Sequence, residues 1–215
     1  MRKILSYILP IRLKKYNSKI NGQLNIYLVD GVKKLDTDKS NYSYGSLQKI
    51  LHRGLVEISF PNGIERVLVL GLGGGSIVQT IRDDFNSEAY IDLVDIDPDM
   101  ISIAINEFQI NEFDNINIIQ SDALDFLESS RDTFDLIIVD IFITDTIPAE
   151  FTRSHFIKML IPHLNRDGRI IYNTMRKTMT GELLNTIKYL FSGEGLKVKI
   201  LTNIEGSNDL IIAEK

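Results

Sequence analysis

The chain has 215 residues, 44% of them hydrophobic, with 24 Lys and Arg against 29 Asp and Glu and a formal net charge of −5. This length buries one substantial core with room for a small appendage, and the acidic balance gives no overall basic field, which argues against nucleic acid as the principal partner. Cysteine is absent, which excludes disulfides, thiolate nucleophiles and cysteine metal sites together; the expected localisation is cytoplasmic.

At the N-terminus, Arg2, Lys3, Arg12, Lys14, Lys15 and Lys19 cluster. They read as a solvated face, with an anionic surface as the lesser alternative. The apolar run from Ile4 to Leu9 is broken by Ser6 and Tyr7, lacks a small-residue cleavage site and is too short to span a bilayer. It is expected to be a short helix packed on the body and ended by Pro10, with no membrane partner. Segments Gln23 to Val29 and Val32 to Leu35 flank Asp30 and Gly31, a strong hairpin signal, so residues 11–40 are expected to form a small β-hairpin appendage. Tyr42 to Ile58 reads as a helix leading into the main sheet. The boundary is placed in the loop Phe60 to Gly63, dividing the chain into an N-terminal part, 1–60, and a cofactor-binding catalytic part, 61–215.

Beyond that loop, apolar strand-like runs at 66–70, 90–95, 116–120, 134–140, 168–173 and 196–202 alternate with helix-period segments near 76–85, 98–108, 123–129, 149–164 and 178–192. Such alternation predicts an α/β fold with a parallel sheet covered by helices on both faces. A last strand at 209–213 follows a turn-rich stretch too short for a helical crossover, so it should pair antiparallel. The expected architecture is a mostly parallel seven-stranded sheet with one reversed strand.

The first main strand, Val67 to Leu70, ends in Gly71, Gly73, Gly74 and Gly75, followed by Ser76 at a helix start. Glycines let the backbone approach a ligand closely, and helix N–H groups favour an anion, although tight strand-to-helix turns use glycine in any case. No lysine follows the loop, which excludes a Walker-type phosphate site. At the end of the second strand, Asp97 precedes Pro98 and reads as a helix cap. Asp95 has no such local duty and is the choice for the ribose hydroxyls of a nucleoside, with Ile96 beside it. After the third strand, Asp122 and Ala123 stand where an acid either caps the next helix or accepts from an adenine amino group. This pairing of acids resembles the class I methyltransferase fold, a Rossmann-like sheet whose cofactor is the sulfonium nucleoside S-adenosylmethionine.

Asp140 closes the apolar fourth strand, where a carboxylate faces the ligand crevice of such sheets, or else merely ends the strand. The segments Asn41 to Tyr44, the glycine loop, Val94 to Asp97, Ser121 to Ala123 and Phe134 to Asp140 together resemble the spermidine synthase, or polyamine aminopropyltransferase, family and its spermidine synthase-like relatives over nearly the whole chain. The resemblance implies that Asp95 holds the ribose, Asp122 the adenine end, and Asp140 the attacking amine. It places Tyr44 in the active-site lining, with packing between appendage and sheet as the alternative, and puts Phe142, Asp145 and Pro148 in a mobile loop over the pocket. It further implies a small-molecule acceptor, a polyamine or other amine, and a homodimer.

Against that family, Gly74 stands where an acid receives the amino end of decarboxylated S-adenosylmethionine, Ile143 where a second acid follows the catalytic one, and Gly45 where an amide or histidine follows the pocket tyrosine. Asp145 substitutes for the second acid only if the loop changes shape. An acid in the glycine loop repels the carboxylate of intact S-adenosylmethionine, whereas glycine offers it backbone N–H groups. The favoured reading is therefore methyl transfer from S-adenosylmethionine, with aminopropyl transfer from its decarboxylated form as one alternative and a non-catalytic nucleoside-binding module as another. His52, His155 and His163 show no metal-ligand spacing with acids, so no metal is expected, and the two later histidines lie about two turns apart on a helix that could as easily keep both at the surface.

Overall fold

The structure is a computed structural model that describes residues 2–37 and 44–215, with side chains for 2–36 and 47–215. Helix α1 (Arg2–Leu5) leads into β1 (Ile11–Ser18), β2 (Gly22–Val29) and β3 (Val32–Thr37), which form an antiparallel sheet in the order β1-β2-β3. The hairpin expected around Asp30 and Gly31 is present, with Val29 paired to Val32 and both turn residues at positive φ, 52° and 77°. That combination matches the right-handed twist of the flanking strands. The appendage nevertheless has three strands rather than two, because Ile11–Ser18 pairs along β2 from Ile11 opposite Leu28 to Ser18 opposite Gly22. A second correction concerns α1, which is one turn long and does not pack on the body. Ile4 is 72% and Ile8 80% exposed, and the segment is held instead by Ser6, whose Oγ accepts from Gly31 N at 3.0 Å.

Helix α2 (Tyr44–Glu57) carries the chain to β4 (Arg66–Leu70), and α3 (Ser76–Gln79) continues into a π-helical turn, Thr80–Asp84. The order then runs β5 (Tyr90–Asp95), α4 (Pro98–Phe108), β6 (Ile116–Gln120), α5 (Ala123–Ser129) and β7 (Phe134–Val139). The helix expected over 149–164 is split into 3-10 turns at Ala149–Thr152 and Ile161–His163 around α6 (Ser154–Leu160). Arg153 is extended, at φ −93° and ψ 159°, and Pro162 cannot donate within a helix. The chain ends with β8 (Leu164–Met175), α7 (Gly181–Gly193), β9 (Lys197–Ile204) and β10 (Asn208–Glu214).

The main sheet has seven strands in the order β6-β5-β4-β7-β8-β10-β9, with β10 antiparallel to both of its neighbours and the other pairings parallel. Strand order reverses between β4 and β7, so the crevice at their carboxyl ends is where ligands bind in such sheets. Central strands are apolar on both faces, as burial between two helical layers demands. Val67 and Val69 pack with α2, α3 and α4 on one face, and Leu68 and Leu70 with α5, α6 and α7 on the other. Leu24, Ile26 and Leu35 of the small sheet join the first of these cores.

Two buried acids on either end of α4 fasten the small sheet to the large one. Glu107 accepts from Tyr16 Oη at 2.8 Å and from Lys33 Nζ at 3.1 Å, and Lys14 pairs with it as well. Burial alone raises its carboxyl, but these three donors outweigh that and hold it below the usual carboxylate range. Asp97 caps α4 through Asp99 N at 2.9 Å, as expected from Pro98, and its other oxygen accepts from Ser18 Oγ and from Asn21 Nδ2 at 2.6 Å.

Candidate active site

A cavity of about 1180 Å³ opens at the carboxyl ends of β4, β5, β6, β7 and β8. Gly71, Gly73, Asp95, Ile96, Asp122, Ala123, Asp140 and Asp145 all line it. Sequence positions spread over 75 residues thus converge on one space because each follows a strand of the same parallel sheet. Gly74 and Gly75 are buried and do not line the cavity. Tyr44 opens α2, but its side chain, like residues Asn41 to Ser43, lies outside the described residues.

Gly71 has a specific reason to be glycine. Its φ is +93°, and a Cβ there would stand 2.3 Å from the carbonyl oxygen of Asp140. Its N–H donates to Val94 O at 2.9 Å, while Asp140 N donates to Leu70 O at 2.8 Å, so the glycine turn locks the ends of three strands together.

Asp95 does have a local duty, contrary to the expectation. Its Oδ2 accepts from Leu72 N at 2.9 Å and its Oδ1 from Asp97 N at 2.8 Å, which shapes both the glycine loop and the start of α4. Burial raises its carboxyl pKa, opposed by these backbone donors. Each carboxylate oxygen keeps a second lone pair for a ligand hydroxyl. Asp122 likewise caps α5, accepting from Leu124 N at 2.7 Å, while lining the cavity; capping and lining coexist.

Asp140 is enclosed by the fold except where it opens on the cavity. Burial drives its carboxyl up to about 6, against a lowering hydrogen bond from Asn173, with the Asp95 charge adding to the rise. Asn173 Nδ2 donates to Asp140 Oδ1 at 2.7 Å. An acid poised near neutrality at a ligand crevice suits proton transfer. Asp145, by contrast, is engaged elsewhere: Lys177 Nζ lies 2.9 Å from its Oδ2 and Thr178 Oγ1 donates to its carbonyl at 3.1 Å.

Several lining residues escaped the sequence reading. Asn173 sits near the carboxyl end of β8, directly after the apolar run Ile170 to Tyr172, and so carries a signal like the one that singled out Asp140: a polar residue ending an apolar run in a central strand. Ile20 and Asn21 of the β1–β2 turn, Glu205 to Ser207 of the β9–β10 turn and Asn208 at the start of β10 close the cavity from outside the parallel strands. His163 is buried rather than at the surface, with both ring nitrogens facing carbonyl oxygens, those of Asp132 and Leu127 at 2.8 and 3.0 Å. It is a packing residue of the opposite end of the sheet, where Asp132 precedes β7.

Comparison with known proteins agrees with this geometry. The chain is 33% identical over 135 residues to polyamine aminopropyltransferase 2 of Bacillus cereus, a match covering 58% of this chain and 36% of that protein. It is 30% identical over 119 residues to the human eEF1A lysine and N-terminal methyltransferase, covering 50% of this chain and 17% of that protein. The chain therefore spans well under half the length of either relative. Its fold matches the crystal structure of a spermidine synthase from Thermotoga maritima, with a TM-score of 0.69 at 17% identity, over 95% of this chain and 72% of that one. The family model described as a methyltransferase domain matches residues 62–204, up to the end of β9, and takes in the glycine loop, Asp95, Asp122 and Asp140. The chain belongs to the methyltransferase domain family.

Proposed function

We propose that the chain is a transferase that uses S-adenosylmethionine and moves its methyl group to a small acceptor carrying an amine. The observation that carries this reading is Asp140, a carboxyl held near neutrality and opening onto a cavity that the glycine loop and two further strand-end acids also line.

The residues present fit the cofactor. Gly73 lines the cavity with nothing within 4 Å of where its Cβ would stand, so that side of the loop is open to a ligand. Asp95 and Asp122 would take the ribose and adenine ends, with Ile96, Met100 and Ala123 supplying an apolar wall. The volume exceeds the usual range for one small ligand and leaves room for an acceptor. Bound there, the sulfonium supplies an electrophilic carbon. Transfer to a neutral amine then depends on the chain for two things: holding the nitrogen in line and taking up its proton. Asp140 does both through the oxygen not engaged by Asn173. An ordinary amine is protonated at neutral pH, and the same carboxylate favours capture of that cation.

Aminopropyl transfer from decarboxylated S-adenosylmethionine is the second reading, supported by the likeness to the Bacillus cereus protein and by the further acid Glu150 on the cavity. The pairing of Asp145 with Lys177 weighs against it, since that acid is engaged and not available to a second ammonium of a diamine. Calorimetric titration of the chain with the two cofactor forms decides: the methyl reading expects tighter binding of intact S-adenosylmethionine, and preference for the decarboxylated form reverses the choice. A panel of amines assayed with labelled cofactor completes the test, and binding without turnover on every member would leave a nucleoside-binding module.

A further inference from the structure

We propose that Asn208, the first residue of β10, is a positioning residue that acts through Asn173 to fix which face of the Asp140 carboxylate serves the acceptor. The role rests on reading Asp140 as the group that handles the acceptor's proton. Its structural basis is a chain of three hydrogen bonds. Ser207 Oγ donates to Asn208 Oδ1 at 2.7 Å, Asn208 Nδ2 donates to Asn173 Oδ1 at 2.9 Å, and Asn173 Nδ2 donates to Asp140 Oδ1 at 2.7 Å. Asn173 and Asn208 are both buried, and all four residues line the cavity.

The chain has one workable polarity. A carboxylate only accepts, and a primary amide carries its donor and its acceptor on opposite sides of one rigid plane. Asn173 can therefore serve Asp140 with its NH₂ only if its carbonyl is turned the other way, and at that side it needs a donor. Asn208 is that donor. Without it Asn173 Oδ1 loses the donor it has in this structure, and the bond to Asp140 is left to hold the amide alone. A buried acceptor left without a donor is costly, so Asn208 selects the productive orientation. Asp140 Oδ1 is thereby occupied and Oδ2 is left to the cavity.

The turn that leads into Asn208 is itself braced. Arg176 N donates to Ser207 O at 2.9 Å, Asn203 N to Asp209 Oδ1 at 2.7 Å, and Thr174 Oγ1 to Asp209 O at 2.8 Å. Strands β8 and β10 are adjacent, with Asn208 opposite Met175, so the relay crosses one strand spacing. The other charged groups that share the cavity with Asp140 lie on different elements. Asp95 follows β5 and Asp122 follows β6. Asp145 is paired with Lys177, Arg176 with Asp209 and Glu205 with Lys49, while Glu150 stands in the segment after β7. None of them makes a hydrogen bond to the Asn208 side chain, whose partners are Ser207 and Asn173.

Titration of aspartate carboxyl carbons by NMR on the whole chain tests the relay, the Asp140 signal being assigned by its loss in Asp140→Asn. Asn208→Leu has similar volume and no donor, and the expected result is a rise of the Asp140 midpoint by about half a pH unit. Asn208→Ser, which keeps a hydroxyl donor, is expected to restore most of it. A merely structural effect loosens the site, admits water and moves the midpoint down, so the sign discriminates. If Asn208→Leu does not fold, Ser207→Ala on the exposed turn takes its place, with a smaller rise expected. An Asp140 midpoint that stays put or falls in the folded variant overturns the proposal. The titration needs neither cofactor nor acceptor, so failure to find a transfer reaction and failure of the relay are separate results.

Discussion

Lys177 Nζ and Asp145 Oδ2 stand 2.9 Å apart, and this pair fastens the loop after β7 to the segment that follows β8. The hydrogen bond from Lys177 is the main reason the Asp145 carboxyl sits below the usual carboxylate range. The lysine is 71% exposed, however, so water screens the attraction. The pair governs the shape of the cavity mouth more than the stability of the fold.

Lys177→Met is therefore expected to change unfolding free energy by less than about 1 kcal/mol in urea titration. The same variant should be cut several times faster by chymotrypsin beside Phe142, because the loop has lost its anchor. Equal cleavage rates would show that packing alone holds the loop.

Asp140→Asn is expected to separate stability from chemistry. With its carboxyl raised to about 6, the folded chain keeps a proton that the unfolded chain has released above about pH 4. Stability is thus full below that lower value and falls as pH rises through 6, by about 2–3 kcal/mol in all. Removing the charge should stabilise the chain at pH 8 by an amount of that order and matter little at pH 4, as read by urea unfolding at the two pH values. Turnover should drop by about a hundredfold or more with cofactor affinity nearly unchanged.

Asp97→Ala removes a helix cap and leaves Ser18 and Asn21 without their shared acceptor. A loss of about 2–4 kcal/mol is expected, seen as a fall of about 5–10 °C in Tm. Asp97→Asn should recover part of it, since an amide oxygen still caps.

The two glycines of the loop that line the cavity should respond differently to the same methyl group. Gly71→Ala drives Cβ into the backbone of Asp140 and should cost more than about 3 kcal/mol or prevent folding. Gly73 meets no neighbour, and Gly73→Ala bears only the strain of φ +52°, about 1 kcal/mol. Denaturant midpoints of the two variants make the comparison.

Much of this arrangement was legible in the sequence, for reasons that also explain what was missed. Periodicity places a strand wherever burial on both faces demands an apolar run, and the residue that closes such a run must face the crevice. Asp140, Asp95 and Asp122 are found that way. Asn173 satisfies the same rule but an amide carries no charge to draw notice. Strand β1 was hidden because Lys14, Lys15 and Arg12 give it the look of a solvated tail. It is a strand because it pairs along β2, and Lys14 finds its partner in Glu107, 93 residues further on, a distance that no local pattern records. The duty of Asp95 toward Leu72 depends on the backbone angles of the glycine turn, which only the folded chain displays.

Ile20 and Asn208 border the same cavity although they come from near opposite ends of the chain. The wall between them is assembled from the small sheet, five parallel strands and the last turn, so no fragment of the protein encloses it. Unfolding either the small sheet or the β9–β10 turn therefore opens the cavity, and whatever it binds stabilises both of these distant segments together.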